Sequence, residues 1–133
     1  TALQSNVYDV APSQALDSLP RNHFNVIFWN LPFVHCTATA DSLSYLERTV
    51  FDPYYVSADK FIGQAHLYLK NNQNELPCHL LVGFSKTTGD YEALKRIAAK
   101  HGYKLEERGV LTREVESTKL MVHLGLYELV KQQ

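Results

Sequence analysis

Apolar residues occur in continuous runs in some parts of the chain and at helical spacing in others. Two runs, "FNVIFW" and "HLLVGF", are apolar in nearly every position, which predicts strands buried in a sheet at residues 24–29 and 79–84. Apolar residues three and four positions apart predict helices elsewhere, at residues 43–51, 58–70 and 91–101. Two last apolar stretches predict final strands, plausibly antiparallel, at residues 103–110 and 119–130.

The predicted helices are bounded by residues that favour helix ends. Asp52-Pro53 should stop the first helix, and Ser57 should cap the second. Asp90 should cap the third, and Gly102 should end it. Apart from the possible helix at 43–51, the resulting order is strand, helix, strand, helix, strand, strand, which predicts an α/β sheet with right-handed crossovers.

The region before the first run is harder to assign. Residues 6–10 fit either the end of a strand or a short loop, and residues 13–20 predict a short helical turn closed by Pro20. Sheets with parallel strands bind ligands at the carboxyl ends of those strands. Asn30 follows directly after the strand at 24–29, so it is predicted to lie at such an end.

Composition narrows the class of protein. The chain has 133 residues, of which 45% are hydrophobic, enough for the core of a single domain. Its net charge is -1, so the chain lacks the strong positive field of a dedicated nucleic-acid binder. Cys36 and Cys78 lack metal-ligand spacing, and no apolar run is long enough to cross a bilayer. We therefore expect reduced thiols in a soluble, cytoplasmic protein with no membrane partner and no metal.

The tetrapeptide Asn30-Leu31-Pro32-Phe33 carries the most specific candidate chemistry. The carboxamide oxygen of Asn30 and a nearby backbone carbonyl could accept the two N–H hydrogens of a planar amine or amide. Pro32 holds the turn and donates no N–H, and Phe33 offers a flat apolar face for stacking. An asparagine and a proline after a strand also form ordinary turns, so a purely structural role is the alternative.

The stretch "FNVIFWNLPF" resembles the motif region of class I S-adenosylmethionine-dependent methyltransferases that carry Asn-Pro-Pro-Tyr/Phe. The similarity continues through "FDPYYVSADKFIGQAHLYLK", "HLLVGFS" and "DYEALKRIAAKHGYKLE", and is to the small-methyltransferase and release-factor glutamine methyltransferase group from its fourth strand onward. Leu31 departs from the commoner pattern and is similar to the Asn-Leu-Pro-aromatic of ribosomal-RNA adenine dimethylases. The resemblance implies a Rossmann-like methyltransferase sheet, here its C-terminal portion, ending in an antiparallel hairpin.

The resemblance also implies site residues. Asn30, Pro32 and Phe33 would be catalytic, and Leu31, Phe33 and His35 would contact the substrate, a nucleic acid or a protein. The cofactor, S-adenosylmethionine, would meet Asn6, Val7 and Asn30. Asn6 stands where the family often has an acidic residue that binds the cofactor's adenine amine. His35 could alternatively be an ordinary solvent-exposed loop residue.

Other features set limits on this interpretation. The six glycines form no cluster, and none precedes residue 24, so the family's Gly-rich cofactor loop is absent from this chain. We therefore expect the C-terminal half of a longer protein, completed by its N-terminal half or a second chain and inactive alone, with at best millimolar affinity for the cofactor. The alternative is a non-catalytic half-domain acting as an interaction or oligomerisation module through an exposed strand edge.

The loop before the second predicted helix leaves two accounts open. Asp52, Tyr54 and Tyr55 could line a substrate pocket or could be surface residues of a connecting loop. Three scattered histidines are expected to be ordinary strand or helix residues rather than metal ligands: His79, His101 and His123.

Overall fold

The computed structural model describes residues 5–6, 9–10, 19–34, 36, 40–71 and 77–133, and for positions 5, 6, 9, 10, 40, 115, 120 and 122 it describes the backbone alone. Two α-helices and a mixed four-stranded sheet form the main part of the described structure, a small α/β domain as predicted. The bounds in chain order are β1 Ser5–Asn6, β2 Asp9–Val10, β3 Val26–Asn30, α1 Val56–Gln64, β4 His79–Phe84, α2 Tyr91–Lys100, β5 Tyr103–Val115 and β6 Leu120–Lys131.

The four long strands form one sheet in the order β3-β4-β6-β5, and β1 pairs antiparallel with β2 in a separate two-stranded ribbon. β3 and β4 are parallel, with Asn30 opposite Gly83. β6 runs antiparallel between β4 and β5. The structure thus confirms the parallel pair and the antiparallel final hairpin. The first strand begins two residues later than predicted, since Phe24 forms only an isolated parallel bridge with Leu69.

Both helices cover the same face of the sheet. Alternate residues of β3 point toward them, and the Trp29 ring contacts the Phe61 ring of α1 at 5.2 Å. The sheet side chains of this covered face are among the most buried of the described part: Leu80, Val82, Phe84, Tyr127 and Leu129. From the helices Ile62, Leu94 and Ala98 complete the core. Among the described residues no helix packs on the other face, which we call the open face.

The helix predicted for residues 43–51 is wrong. Only a 3-10 turn, Glu47–Thr49, forms there, and Ser44 and Glu47 exchange the two hydrogen bonds of a capping box before it. The side chains of Tyr45 and Leu46 are 85% and 78% exposed, so no buried face stabilises further turns. Phe51 instead forms a bridge with Val34 beside the carboxyl end of β3.

α1 begins and ends differently from the predicted helix at 58–70. The predicted cap, Ser57, is already inside α1, and the carboxylate of Asp52 accepts the backbone N–H groups of Ser57 and Ala58 at 3.0 and 2.9 Å. The α-helix ends at Gln64, and one 3-10 turn, Ala65–Leu67, follows. The backbone after this turn forms a hydrogen bond with the segment that precedes β3: the Phe24 N–H donates to the Tyr68 carbonyl at 3.0 Å.

The predictions for α2 and β4 are confirmed closely. β4 occupies the predicted residues 79–84. Asp90 caps α2 by accepting the Ala93 N–H at 3.0 Å, and Gly102 follows the helix with a left-handed φ of 81°. β5 is longer than predicted, since the polar segment at residues 111–115 continues the β5 ladder, and β6 begins and ends one residue later than predicted.

Candidate functional site

Asn30 ends β3 at the carboxyl edge of the parallel pair, as predicted. Residues of a strand alternate between its two faces, so Asn30 shares the open face with Val26 and Phe28. All three are exposed, whereas Leu31, the next residue, is 2% exposed and belongs to the core. The carboxamide is therefore accessible on the open face, and the backbone that carries it is anchored in the core.

Gly83 makes space for the Asn30 carboxamide. A Cβ at position 83 would lie 2.6 Å from Asn30 Oδ1, so the amide oxygen occupies the volume that any other residue's side chain would need. Sequence reasoning treated Gly83 only as part of an apolar strand. The signal that reveals its role is the strand register, which places residues 30 and 83 opposite each other.

Hydrogen bonds hold the turn after Asn30 on both sides. The Leu31 N–H donates to the Gly83 carbonyl at 3.1 Å, which continues the parallel ladder by one residue. The Tyr55 hydroxyl donates to the Phe33 carbonyl at 2.7 Å. Pro32 is buried between these two attachments. Of the predicted substrate contacts, Leu31 can therefore contribute its backbone but not its buried side chain.

Phe33 is half-buried and packs against the core. Its ring meets the Phe84 ring edge to face, with centroids 6.3 Å apart and planes at 76°. This contact holds the Phe33 ring at the site. Its predicted stacking on a substrate stays a prediction.

The structure distinguishes the roles within the Asp52–Tyr55 loop. Asp52 and Tyr55 are 2% and 4% exposed, so they are buried parts of the scaffold beneath the turn. Tyr54 is 65% exposed and is a surface aromatic. Burial raises the pKa of Tyr55, so its hydroxyl, which is protonated at neutral pH in any case, remains a donor to higher pH than an exposed phenol.

A shallow groove of about 390 Å³ runs across the open face from Asn30. Its walls are mostly apolar, with Phe28, Leu124 and Leu126 among them, and Gly83 and Gly109 form part of its floor. Asn30 is the polar side chain of this lining. Such a groove could hold the apolar part of a ligand whose N–H groups reach Asn30.

Three predicted site residues have no described side chain. Val7 and His35 are outside the described residues, and at position 6 only the backbone of Asn6 is described, paired with Asp9 in the ribbon of β1 and β2. Of the predicted cofactor contacts, Asn30 is thus the one with a described side chain. Binding of S-adenosylmethionine by this chain, and its expected weakness, therefore stay predictions.

The three histidines that were expected to be ordinary strand or helix residues each have a protein partner. His79 Nδ1 lies 2.6 Å from Glu128 Oε1, His101 Nε2 lies 2.6 Å from Asp59 Oδ1, and His123 Nδ1 lies 3.0 Å from the Thr112 hydroxyl. In the described part of the chain no three His, Cys, Asp or Glu side chains are grouped to hold a metal ion. None of the described helices is long and apolar enough to span a membrane.

A charged cluster occupies the end of the open face farthest from Asn30. Glu128 lies between His79 and Arg108, whose Nε is 2.6 Å from Glu128 Oε2. Arg108 also pairs with Glu106 at 2.9 Å. The hydrogen bond from His79, followed by those from Arg108, holds the pKa of Glu128 below its usual range. The open face is therefore apolar and amide-bearing at one end and ionic at the other.

Comparison of the chain with protein-family models, with curated proteins and with solved structures found no match in any of the three.

Proposed function

We propose that this chain supplies the acceptor-nitrogen site of an S-adenosylmethionine-dependent N-methyltransferase that acts on a planar amine or amide of a nucleic acid or protein. The observation that carries the proposal is the Asn30 carboxamide, exposed at the carboxyl end of a parallel strand in space left by Gly83. The resemblance of the surrounding sequence to the Asn-Pro-Pro-Tyr/Phe methyltransferases supports the same activity.

The residues of this chain would hold the acceptor nitrogen. Asn30 Oδ1 accepts one N–H of the substrate, the Leu31 backbone carbonyl accepts the other, and the Phe33 ring stacks on the planar group. Both hydrogens of the substrate nitrogen are then oriented away from the methyl donor, and the nitrogen lone pair points toward it. The rate arises from this orientation and from removal of water rather than from a strong base. S-adenosylmethionine would supply the methyl group: the N–C bond would form as the sulfonium S–C bond breaks, S-adenosylhomocysteine would leave, and the methylated nitrogen would release one proton to solvent. The cofactor's own site is proposed to lie on residues beyond this chain.

Substitution of Asn30 tests the proposal most directly. In the full-length gene product, Asn30→Ala should lower the rate of methyl transfer by about 100-fold, since a misplaced acceptor loses its alignment. The affinity for S-adenosylmethionine should change much less. Asn25→Ala is the matched control, because it also removes an asparagine carboxamide, but from the residue that directly precedes the start of β3. Equal losses of rate and of cofactor affinity would mean that Asn30 only maintains the fold.

Gly83→Ala tests the same geometry without altering Asn30. The new methyl group would displace the carboxamide, which is exposed and can rotate away, so transfer should fall while the fold is kept. Gly109→Ala is the control in the same groove, because a Cβ there meets no atom within 4 Å. A panel of RNA, DNA, protein and small-molecule acceptors, assayed with both variants, identifies the carrier of the nitrogen.

A second candidate function, an oligomerisation module, is favoured by a different observation. β3 is one of the two outer strands of the described four-stranded sheet, and its residues Val26 and Phe28 are 53% and 56% exposed on the open face. Outer strands and exposed apolar faces promote association between chains. This role needs no particular residue at position 30, so Asn30→Ala would leave it intact. Sedimentation over a range of concentrations separates the two: a monomer at all concentrations rules out the module.

A further inference from the structure

One phenol group joins three segments at the carboxyl edge of the parallel strands. The Tyr55 hydroxyl donates to the Phe33 carbonyl at 2.7 Å and accepts the Asp90 backbone N–H at 2.8 Å. Phe33 belongs to the turn after β3, Asp90 to the loop after β4, and Tyr55 to the loop that leads into α1. Because a hydroxyl can donate one hydrogen bond and accept others, this single group connects all three.

The backbone at Tyr55 is in an unusual conformation. Tyr54 and Tyr55 have left-handed φ values of 56° and 53°, and such non-glycine residues cost on the order of 1 kcal/mol each. The surroundings maintain this conformation, since the Asp52 carboxylate holds the first turn of α1 immediately afterwards. The ring of Tyr55 lies in the core, 6.2 Å from that of Phe84, whereas the Tyr54 ring lies at the surface.

The Tyr55 hydrogen bond acts on the residues that the proposed function uses. The turn is held at its start by the Leu31 N–H on Gly83, and at its end by Tyr55 on the Phe33 carbonyl. The peptide groups between these two points carry the Leu31 carbonyl and the Phe33 ring. The same peptide group has a second attachment, because the Val34 N–H donates to the Val50 carbonyl at 3.1 Å. Without the hydroxyl this peptide group keeps only one of its two attachments, and the acceptor groups are held less firmly in a common orientation.

We propose that Tyr55 is a positioning residue, which fixes the Asn30–Phe33 turn in the orientation that grips the substrate nitrogen. It acts through the Phe33 carbonyl and does not touch the substrate. This inference rests on the proposed function, because it assigns Tyr55 a part in the same site. Because Tyr55 is buried and its hydroxyl bonds to both the Phe33 carbonyl and the Asp90 N–H, it connects the two loops in a way that a surface tyrosine would not.

Tyr55→Phe is the test, because it keeps the ring against Phe84 and removes only the hydroxyl. In the full-length gene product we expect kcat for methyl transfer to fall by about 10- to 100-fold, as for a small misplacement of a catalytic group, with the KM for S-adenosylmethionine unchanged. Tyr103→Phe is the matched control: Tyr103 is 5% exposed and lies at the start of β5, away from the turn. The kcat of the Tyr103→Phe variant should stay at the wild-type value.

Amide hydrogen exchange of residues 1–133 gives a readout that does not depend on activity. In Tyr55→Phe the Asp90 amide should exchange faster, because its acceptor is gone, while amides in the middle of β4 stay protected. Unchanged exchange at Asp90 overturns the inference, since the hydroxyl would then not connect the loops.

The results also separate this inference from the proposed function. If Asn30→Ala abolishes transfer and Tyr55→Phe leaves kcat unchanged, the positioning role is wrong and the proposed function stands. If Asn30→Ala leaves transfer unchanged, both fail. If Tyr55→Phe lowers kcat only together with a loss of cofactor affinity and of thermal stability, its role is structural and the positioning role is wrong.

Discussion

The two faces of the sheet are built from alternate residues of the same strands but have different properties. On the covered face Phe84 and Val82 are fully buried, and the helices pack over them. On the open face Phe28 is 56% exposed and borders a groove that ends at Asn30. The comparison indicates that stability resides on one face, while the other is available for binding. Asn30 can be exposed without weakening the core, because its side chain lies on the open face.

Paired phenylalanine substitutions test this division most strongly. Phe84→Ala should lower the free energy of unfolding by about 3–5 kcal/mol, because it removes a fully buried ring and leaves a cavity. Phe28→Ala should lower it by less than about 1 kcal/mol, since an exposed ring loses little burial. Urea denaturation of both variants measures the difference. Similar losses for the two would show that the open face is covered and that the comparison is wrong.

Asp52→Ala should have the next largest effect. It removes the carboxylate that accepts the Ser57 and Ala58 N–H groups, and losing a helix cap costs about 0.5–2 kcal/mol. The buried position places the expected loss toward the upper end of that range. Ser57→Ala, the substitution at the position expected from sequence to be the cap, should cost much less. A larger loss for Ser57→Ala in urea denaturation would contradict the observed capping.

The charged end of the open face should make a smaller, pH-dependent contribution. The folded state lowers the pKa of Glu128, so its contribution to stability is complete above the ordinary glutamate value of 4.5 and is lost as the pH falls through the lower folded pKa. Stability measured at acid pH and at neutral pH should therefore differ less in Glu128→Gln than in the wild type. An identical pH profile in both proteins would show that the cluster on this face contributes nothing.

Phe28→Lys should leave stability nearly unchanged and act on association alone. A charge on an outer strand opposes pairing between chains, so any oligomer that forms through the open face should dissociate. Sedimentation of the wild type and the variant at matched concentrations checks this. An oligomer that persists in Phe28→Lys would use another surface.

The features that sequence predicted well depend on short segments of chain. The apolar run of β4 and the Asp90 cap of α2 lie within a few residues of the structure they specify. The position of Asn30 at a strand end was predicted for the same reason and is confirmed. Local patterns were sufficient because each element contains its own signal.

The features that sequence missed depend on contacts between distant segments. The predicted helix at 43–51 had suitable spacing but no surface to pack against, and its exposure could not be read from the pattern. The cap of α1 comes from Asp52, which precedes the helix by four residues instead of one. The roles of Gly83 and of the Tyr55 hydroxyl follow from strand register and from a bond across 22 residues, neither of which a linear pattern contains.

The contact between Asn30 and Gly83 also has an evolutionary consequence. Because the amide oxygen fills the space of a side chain at position 83, the two positions cannot change independently. A lineage that acquires alanine or a larger residue at 83 should also replace the asparagine, whereas one that keeps asparagine at 30 should keep glycine at 83. The two positions are 53 residues apart in the chain. Correlated substitution at both would therefore distinguish descendants that have lost the site from those that retain it.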